Sequence, residues 1–332
     1  MKLLVYIPCH TDFDLALSQV KKVRKEFEIF LSKYKQDSLS IQIVLSVNAY
    51  LPSPKEKSLA EEICDRIILN GEGYLGDVNI ANGFLVALDE KPDLLWILSV
   101  NDYLVDGAIG NIIIEFINDS TIDLLVTSLN INGNFTEKQI IDPPKTGLSY
   151  GLISGVVYRL ERLSPFFHNG PFMAWTGWSQ LAVIQSAMNS MGGLKVKYIP
   201  FSLVYSQRER SLSEAAVAYS HSIYGALILG LIFKPSKVAA RKFVTTYVIK
   251  NFYRWHLFSR KWNNPSQIIE RRNYLAWNQL IAEALIRKNS IFAYYFYRLV
   301  KIIPFEKCSR FKPFIVIKQK FDKILKQGRH YK

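Results

Sequence analysis

Apolar positions in the first 205 residues switch period repeatedly. KLLVYIP (2–8) is apolar at nearly every position, the pattern of a strand buried on both faces. Over 15–34 the apolar residues fall at Leu17, Val20, Val23, Phe27 and Phe30, which predicts an amphipathic helix. IQIVLSV (41–47) predicts a second strand, 55–65 a short helix, and RIILN (66–70) a third strand. The same reading gives a helix over 77–88, a strand in LLWILSV (94–100), a helix over 108–118 and a strand in DLLVTSL (123–129). GLISGVVYRL (151–160) reads as strand plus turn, 180–191 as a helix, and LKVKYIPFSLVY (194–205) as one late strand. Segment 130–147, with Pro143-Pro144, is a loop of a length that is usually functional. Alternating strands and helices with all-apolar strands predict an α/β fold, a mainly parallel buried sheet flanked by helices.

The pattern changes after residue 206. Segment 215–233 carries no charge and nearly reaches bilayer length, but Ser220, His221 and Ser222 interrupt it. It predicts a buried or interfacial helix. Charge changes at the same place. Residues 1–205 hold 17 Lys and Arg against 22 Asp and Glu, whereas 206–332 hold 25 against 6. Two domains are therefore expected, 1–205 and a basic, aromatic-rich helical region over 206–332. Segments 290–305 and 311–327 mix Lys and Arg with Phe, Tyr, Leu and Ile, the composition of helices that lie on an anionic membrane surface. A helical domain with a solvated basic face is the plainer alternative. Nucleic acid is the third, and no recognised binding motif supports it. Cys9, Cys64 and Cys308 show neither metal-ligand spacing nor a disulfide framework, which suits a reducing compartment. The N-terminal apolar run is too short for a secretory signal, so the expected location is cytoplasmic, on the inner face of the cell membrane.

Residues 70–108 carry most of the candidate chemistry. Gly71-x-Gly73-x-x-Gly76 matches the dinucleotide fingerprint, with a strand before it and a helix after it. That fingerprint belongs to the first strand–helix turn of its domain, and here the first turn is IPCHTDFD, without glycine. A nicotinamide-dependent oxidoreductase stays as an alternative on this motif. Further on, LLWIL ends in Ser99, Asn101 and Asp102, and open α/β sheets hold their ligands at the carboxyl ends of strands. An acid at such a buried strand end is costly unless used or paired, which singles out Asp102.

The order of motifs resembles the GT-A fold, family 2-type glycosyltransferases that use nucleotide sugars. The chain opens on I-P-x-H (Pro8, His10), and SVNAY ends the second strand at Asn48. GYLGDVNIANGF is similar to the family's glycine-and-asparagine helix start, with Gly76 and Asn79. LLWILSVNDYL stands where the family has a strand ending in D-x-D-D. GLISGVVYR, with Gly155, and GWSQLAVIQSAMNSMGG, with Trp178, Ser179 and Gln180, resemble the acceptor-side strand and helix. The resemblance implies donor contacts from Pro8, His10, Asn48, Gly76, Asn79, Ser99 and Asn101. It implies an acceptor side built from Gly155, Trp175, Trp178 and Ser179, with Asp102 and Gln180 at the catalytic positions. His10 reads equally as a surface histidine, Asn48 as a strand end, and the two tryptophans as core.

Three departures matter. The family's metal-binding D-x-D is Ser99 and Asn101 here, which leaves Asp102 as the one acidic candidate for Mn²⁺ or Mg²⁺. The family's E-D pair is Ser179-Gln180, and an amide cannot take a proton from an acceptor hydroxyl at neutral pH. Where a late histidine often stands, this chain has YSQRERS, so Arg208 and Arg210 are candidates to pair with the diphosphate, or are solvated residues at a domain junction. The implied reaction moves a sugar from a nucleotide diphosphate sugar to a hydroxyl of a lipid-linked or saccharide acceptor. The implied setting is surface polysaccharide synthesis of the O-antigen or capsule type, with inversion at the anomeric carbon. A non-catalytic GT-A relative is the other alternative.

Overall fold

Lys2–Cys9 (β1), Ser40–Asn48 (β2) and Arg66–Asn70 (β3) run parallel beside Leu94–Ile97 (β4) in the computed structural model of the chain. The structure describes residues 1–10, 12–34, 38–48, 50–70, 76–127, 153–199, 203–206, 224–232, 234, 236–250 and 269–302. The strand order of the main sheet is β3-β2-β1-β4-β7-β6-β8, where β6 is Leu124–Thr127, β7 is Val156–Arg159 and β8 is Val196–Ile199. Strand β7 runs antiparallel to both β4 and β6, so the sheet is mixed but mostly parallel. A second, two-stranded antiparallel sheet pairs Asp102–Leu104 (β5) with Val204–Ser206 (β9).

Each buried element follows its sequence pattern. Strand β1 is buried along Leu3–Ile7 because a helix covers each face. Helix α1, Phe13–Lys33, starts on Asp12, whose carboxylate accepts from the Leu15 amide, and it buries Leu17, Val20, Val23, Phe27 and Phe30. Helix α2, Pro54–Ile63, opens with a capping box between Ser53 and Glu56. Helix α3, Gly76–Glu90, lies close on the sheet, and a Cβ at Gly83 would come 2.8 Å from the Tyr6 ring. Helix α4 is Ala108–Asn118, and helix α5 is Ser179–Met191.

Two expectations are corrected. LLWILSV is strand only through Ile97; the chain then turns at 98–101 and re-enters as β5. The single late strand over 194–205 is two strands in different sheets, β8 and β9. Pro200, which has no amide to give to a ladder, stands between them. Loop 130–147 and the glycines Gly71 and Gly73 lie outside the described residues.

The chain divides into two compact units, Met1–Arg208 and Glu209–Lys332. In the second unit, 224–232 is helical with Tyr224, Leu227, Ile228 and Leu229 buried. Helices α6 (Lys237–Lys250), α7 (Ile269–Asn289) and α8 (Ile291–Ile302) pack on one another through Val244, Val248, Ala282, Ile286, Ala293 and Tyr297. No helix among the described residues is long and apolar enough to cross a membrane.

Candidate functional site

The parallel register sets the ends of β1, β2, β3 and β4 along one edge. Pro8 is level with Ser46, Asn48 with Asn70, and Tyr6 with Ile97. The strand order reverses between β1 and β4, and sheets of this kind open a crevice at such a point. Segment 71–75, which carries two of the three fingerprint glycines, follows β3, the edge strand. It therefore follows the strand farthest from β4 on this side of the sheet, not the β1 turn a dinucleotide fold requires.

Asn79, one turn into α3, is 2% exposed and binds three strand ends together. Its Nδ2 donates to the carbonyls of Ser46 (3.1 Å) and Cys9 (3.3 Å), and its Oδ1 accepts from the Ser46 hydroxyl (2.6 Å). The Tyr6 hydroxyl donates to the Asn79 carbonyl at 2.9 Å, and Asn70 Nδ2 donates to Ser46 Oγ at 3.1 Å. Burial of this knot raises the Tyr6 phenol above its ordinary pKa. Burial likewise pushes the Cys9 thiol up to about 12. The knot fixes the start of α3, where exposed Gly76 stands; a Cβ there would meet nothing within 4 Å. Packing does not demand glycine at that position. Next to it, His10 Nδ1 lies 3.2 Å from Nδ2 of fully buried Asn48, so these two predicted donor residues meet.

The turn after β4 forms the other side. The buried Ser154 hydroxyl accepts from the Ser99 amide (2.8 Å) and donates to Asp102 Oδ2 (2.6 Å). Ser154 and Gly155 belong to one short turn, Ile153–Gly155, and the Ser154 carbonyl accepts from Trp96 Nε1 at 2.9 Å. Ser99 Oγ accepts from the Asn101 amide, and Asp102 is 9% exposed. Three polar side chains on α1 hold the same segment from behind. Gln19 Nε2 donates to the Asp102 carbonyl (2.5 Å), Lys22 Nζ to the Leu104 carbonyl (2.5 Å), and Glu26 Oε2 accepts from the Gly107 amide (2.5 Å). Gly107 sits at φ 80°, where a side chain would be strained. The spacing 19, 22, 26 puts all three on one face of α1.

On the predicted acceptor side, Ser179 and Gln180 are buried in the first turn of α5, and Trp178 precedes that turn. Trp175 lies in the turn Ala174–Thr176, which packs against α3; both tryptophans are half-buried. Strand β9 ends at Ser206, in register with Asp102. Arg208 and Arg210 lie outside the described residues.

Sequence reading missed Ser154, Gln19, Glu26, Ser46 and Tyr6. Each acts through a partner far away in the chain, and no local spacing signals that. Ser154 stands in the I-S-G of a quoted motif without a role of its own.

Among the described residues no three His, Cys, Asp or Glu side chains converge as a cation site. The residues at the expected metal position offer one carboxylate, that of Asp102. Ser99 and Asn101 are neutral, and the Asp102 carboxylate is tied to Ser154.

No family model and no curated protein sequence matches the chain. Solved structures do. The S. aureus protein TarS aligns over 91% of this chain with 12% identity and a TM-score of 0.51, and the chain spans 55% of that TarS chain. TarS 1–349 aligns over 91% of this chain and 90% of its own, with 13% identity and a TM-score of 0.51. TarS 1–349 in complex with UDP-GlcNAc gives the same coverage, with 12% identity and a TM-score of 0.52. On strand order, mixed sheet and this likeness, the chain has the α/β, GT-A-like fold.

Proposed function

We propose that the chain transfers a sugar from a nucleotide diphosphate sugar to a hydroxyl of a lipid-linked or saccharide acceptor in surface polysaccharide synthesis. One observation carries this reading. His10, Asn48, Ser99 and Asp102 stand at the carboxyl edge of β1, β2 and β4, in a fold shared with a structure holding UDP-GlcNAc. Pro8 and His10 contact the nucleotide, and buried Asn48 acts there through His10. Gly76, Asn79 and the turn of Ser99 and Asn101 shape the diphosphate side, where the start of α3 offers backbone amides. Gly155, Trp175, Trp178 and Ser179 line the acceptor side.

In the step itself the anomeric C–O bond to the diphosphate breaks and a new C–O bond to the acceptor oxygen forms, with inversion. The nucleoside diphosphate leaves, and the hydroxyl proton passes to a base. Gln180 cannot be that base, so it orients the acceptor. Asp102 is the one carboxylate among the described donors at the D-x-D position, so a divalent cation would be weakly held there. Arg208 and Arg210 neutralise the leaving diphosphate in this reading.

Calorimetric titration with UDP-GlcNAc, other nucleotide sugars and NADH, with and without EDTA, tests the reading. A nucleotide sugar binds, EDTA leaves binding intact, and Arg208→Ala or Arg210→Ala weakens it by about 1.5–3 kcal/mol. Preference for NADH, or strict Mn²⁺ dependence with indifferent arginines, refutes it. The Ser179-Gln180 pair favours a second reading, a donor-binding relative without turnover. Single-turnover product analysis separates the two.

A further inference from the structure

Helix α8 has two apolar faces, and the described residues of the second unit bury one. Ala293 and Tyr297 are buried against the neighbouring helices. Ile291, Phe292, Tyr295 and Leu299 are 55%, 61%, 66% and 56% exposed. At roughly 100° per residue these four fall within one arc of about 100°. A buried polar knot sets the rotation of the helix. The Tyr297 hydroxyl donates to Glu283 Oε1 (2.9 Å) and lies 3.2 Å from the Tyr224 hydroxyl, while Gln279 Nε2 donates to the same Glu283 oxygen (3.0 Å). Turning the exposed arc inward would pull these groups apart, and each buried bond lost is costly. The outward stripe is therefore built into the packing.

Basic groups adjoin the stripe. Arg298 lies on α8 itself, and exposed Arg287 and Lys288 end α7, with the Arg287 guanidinium 5.9 Å from the Tyr294 ring centroid. Residues 206–332 as a whole carry 25 Lys and Arg against 6 Asp and Glu. We propose that this face of α8 docks the chain on an anionic membrane. Phe292, Tyr295 and Leu299 enter the headgroup–acyl boundary, and Arg287, Lys288 and Arg298 meet lipid phosphates. A second copy on the same face would bring two strongly basic segments together. Nucleic acid would satisfy the arginines and leave the apolar arc in water. Docking is measured without donor and is independent of the proposed sugar transfer.

The experiment is co-sedimentation of the full chain with phosphatidylcholine vesicles and with vesicles that also contain phosphatidylglycerol. The wild type should bind the anionic vesicles and release as salt rises. The double variant Phe292→Ser, Leu299→Ser should lose at least about tenfold in partitioning. Lys288→Gln and Arg298→Gln should each lose about fivefold and flatten the salt dependence. Circular dichroism and melting confirm that each variant is folded. Equal partitioning of wild type and the folded double variant overturns the proposal. So does binding indifferent to phosphatidylglycerol. A wild-type dimer that the same two substitutions convert to monomer would assign the face to self-association instead.

Discussion

Replacing Ser154 with alanine removes one hydroxyl that serves both the turn after β4 and the carboxylate of Asp102. The Oγ–Oδ2 contact at 2.6 Å is a hydrogen bond to a charged group, worth about 1.5–3 kcal/mol. The Ser99 amide loses its 2.8 Å acceptor, at a cost of about 1–3 kcal/mol for a stranded donor. Because one oxygen serves both, the total should be about 3–5 kcal/mol, large against the net stability of about 5–15 kcal/mol of an ordinary domain. Ser186→Ala is the control. Ser186 is also a buried serine, but its hydroxyl has no partner among the described residues. Deleting it should be neutral or stabilising by up to about 1 kcal/mol. The assay is urea denaturation of both variants, compared at unchanged m-value, with donor affinity measured in parallel. Donor affinity should fall in Ser154→Ala and hold in Ser186→Ala. If the two variants are destabilised equally within about 0.5 kcal/mol, hydrogen bonding at Ser154 does not hold the turn.

Four further outcomes are expected. Tyr158→Phe should raise stability by about 1 kcal/mol, read as a higher denaturation midpoint, since the Tyr158 hydroxyl is fully buried without a partner among the described residues. Cys9 and Cys64 should resist iodoacetamide in the native protein and react after unfolding, because burial pushes both thiols up to about 12; rapid native labelling of either would contradict that. Asp119 accepts from the Thr121 hydroxyl and amide and from Lys195, which hold its carboxyl below the ordinary aspartate value of about 3.9. Its contribution is therefore present above that value and lost as pH falls, so Asp119→Asn and wild type should differ in denaturation midpoint near neutrality and converge in acid. Asp102→Asn keeps the side-chain shape but makes the Ser154 bond neutral, so it should stay folded, lower stability by about 1 kcal/mol and cut turnover at least about tenfold; unchanged kinetics would remove Asp102 from the reaction.

Much of the first unit was legible because its signals are local. The apolar run of KLLVYIP and the helical spacing of Leu17, Val20, Val23, Phe27 and Phe30 report burial directly, and β1 and α1 lie where those patterns end within about two residues. The late segment 194–205 holds two strands where periodicity predicts one, and the sequence between them contains Pro200, which has no amide for a ladder. The antiparallel direction of β7 had no signal at all. Strand direction depends on the connection through 128–152 and on the neighbours β4 and β6, not on the composition of VVYR.

The candidate site divides the same way. Sequence alone placed Pro8, His10, Asn48, Ser99, Asn101 and Asp102 at strand ends, because an apolar run that stops at polar residues marks where a buried strand leaves the core. It also set the charge contrast between 1–205 and 206–332, which no fold can alter. Only the tertiary structure brought His10 to Asn48, 38 residues on, and Ser154 to Asp102, 52 residues back. Only it made Asn79 a clamp on Cys9 and Ser46, and turned Gln19, Lys22 and Glu26 toward one loop. The physical reason is range. Periodicity and capping act within a few residues of chain, whereas a buried hydrogen bond is made between whichever groups the packed sheet leaves facing each other, whatever their separation in sequence.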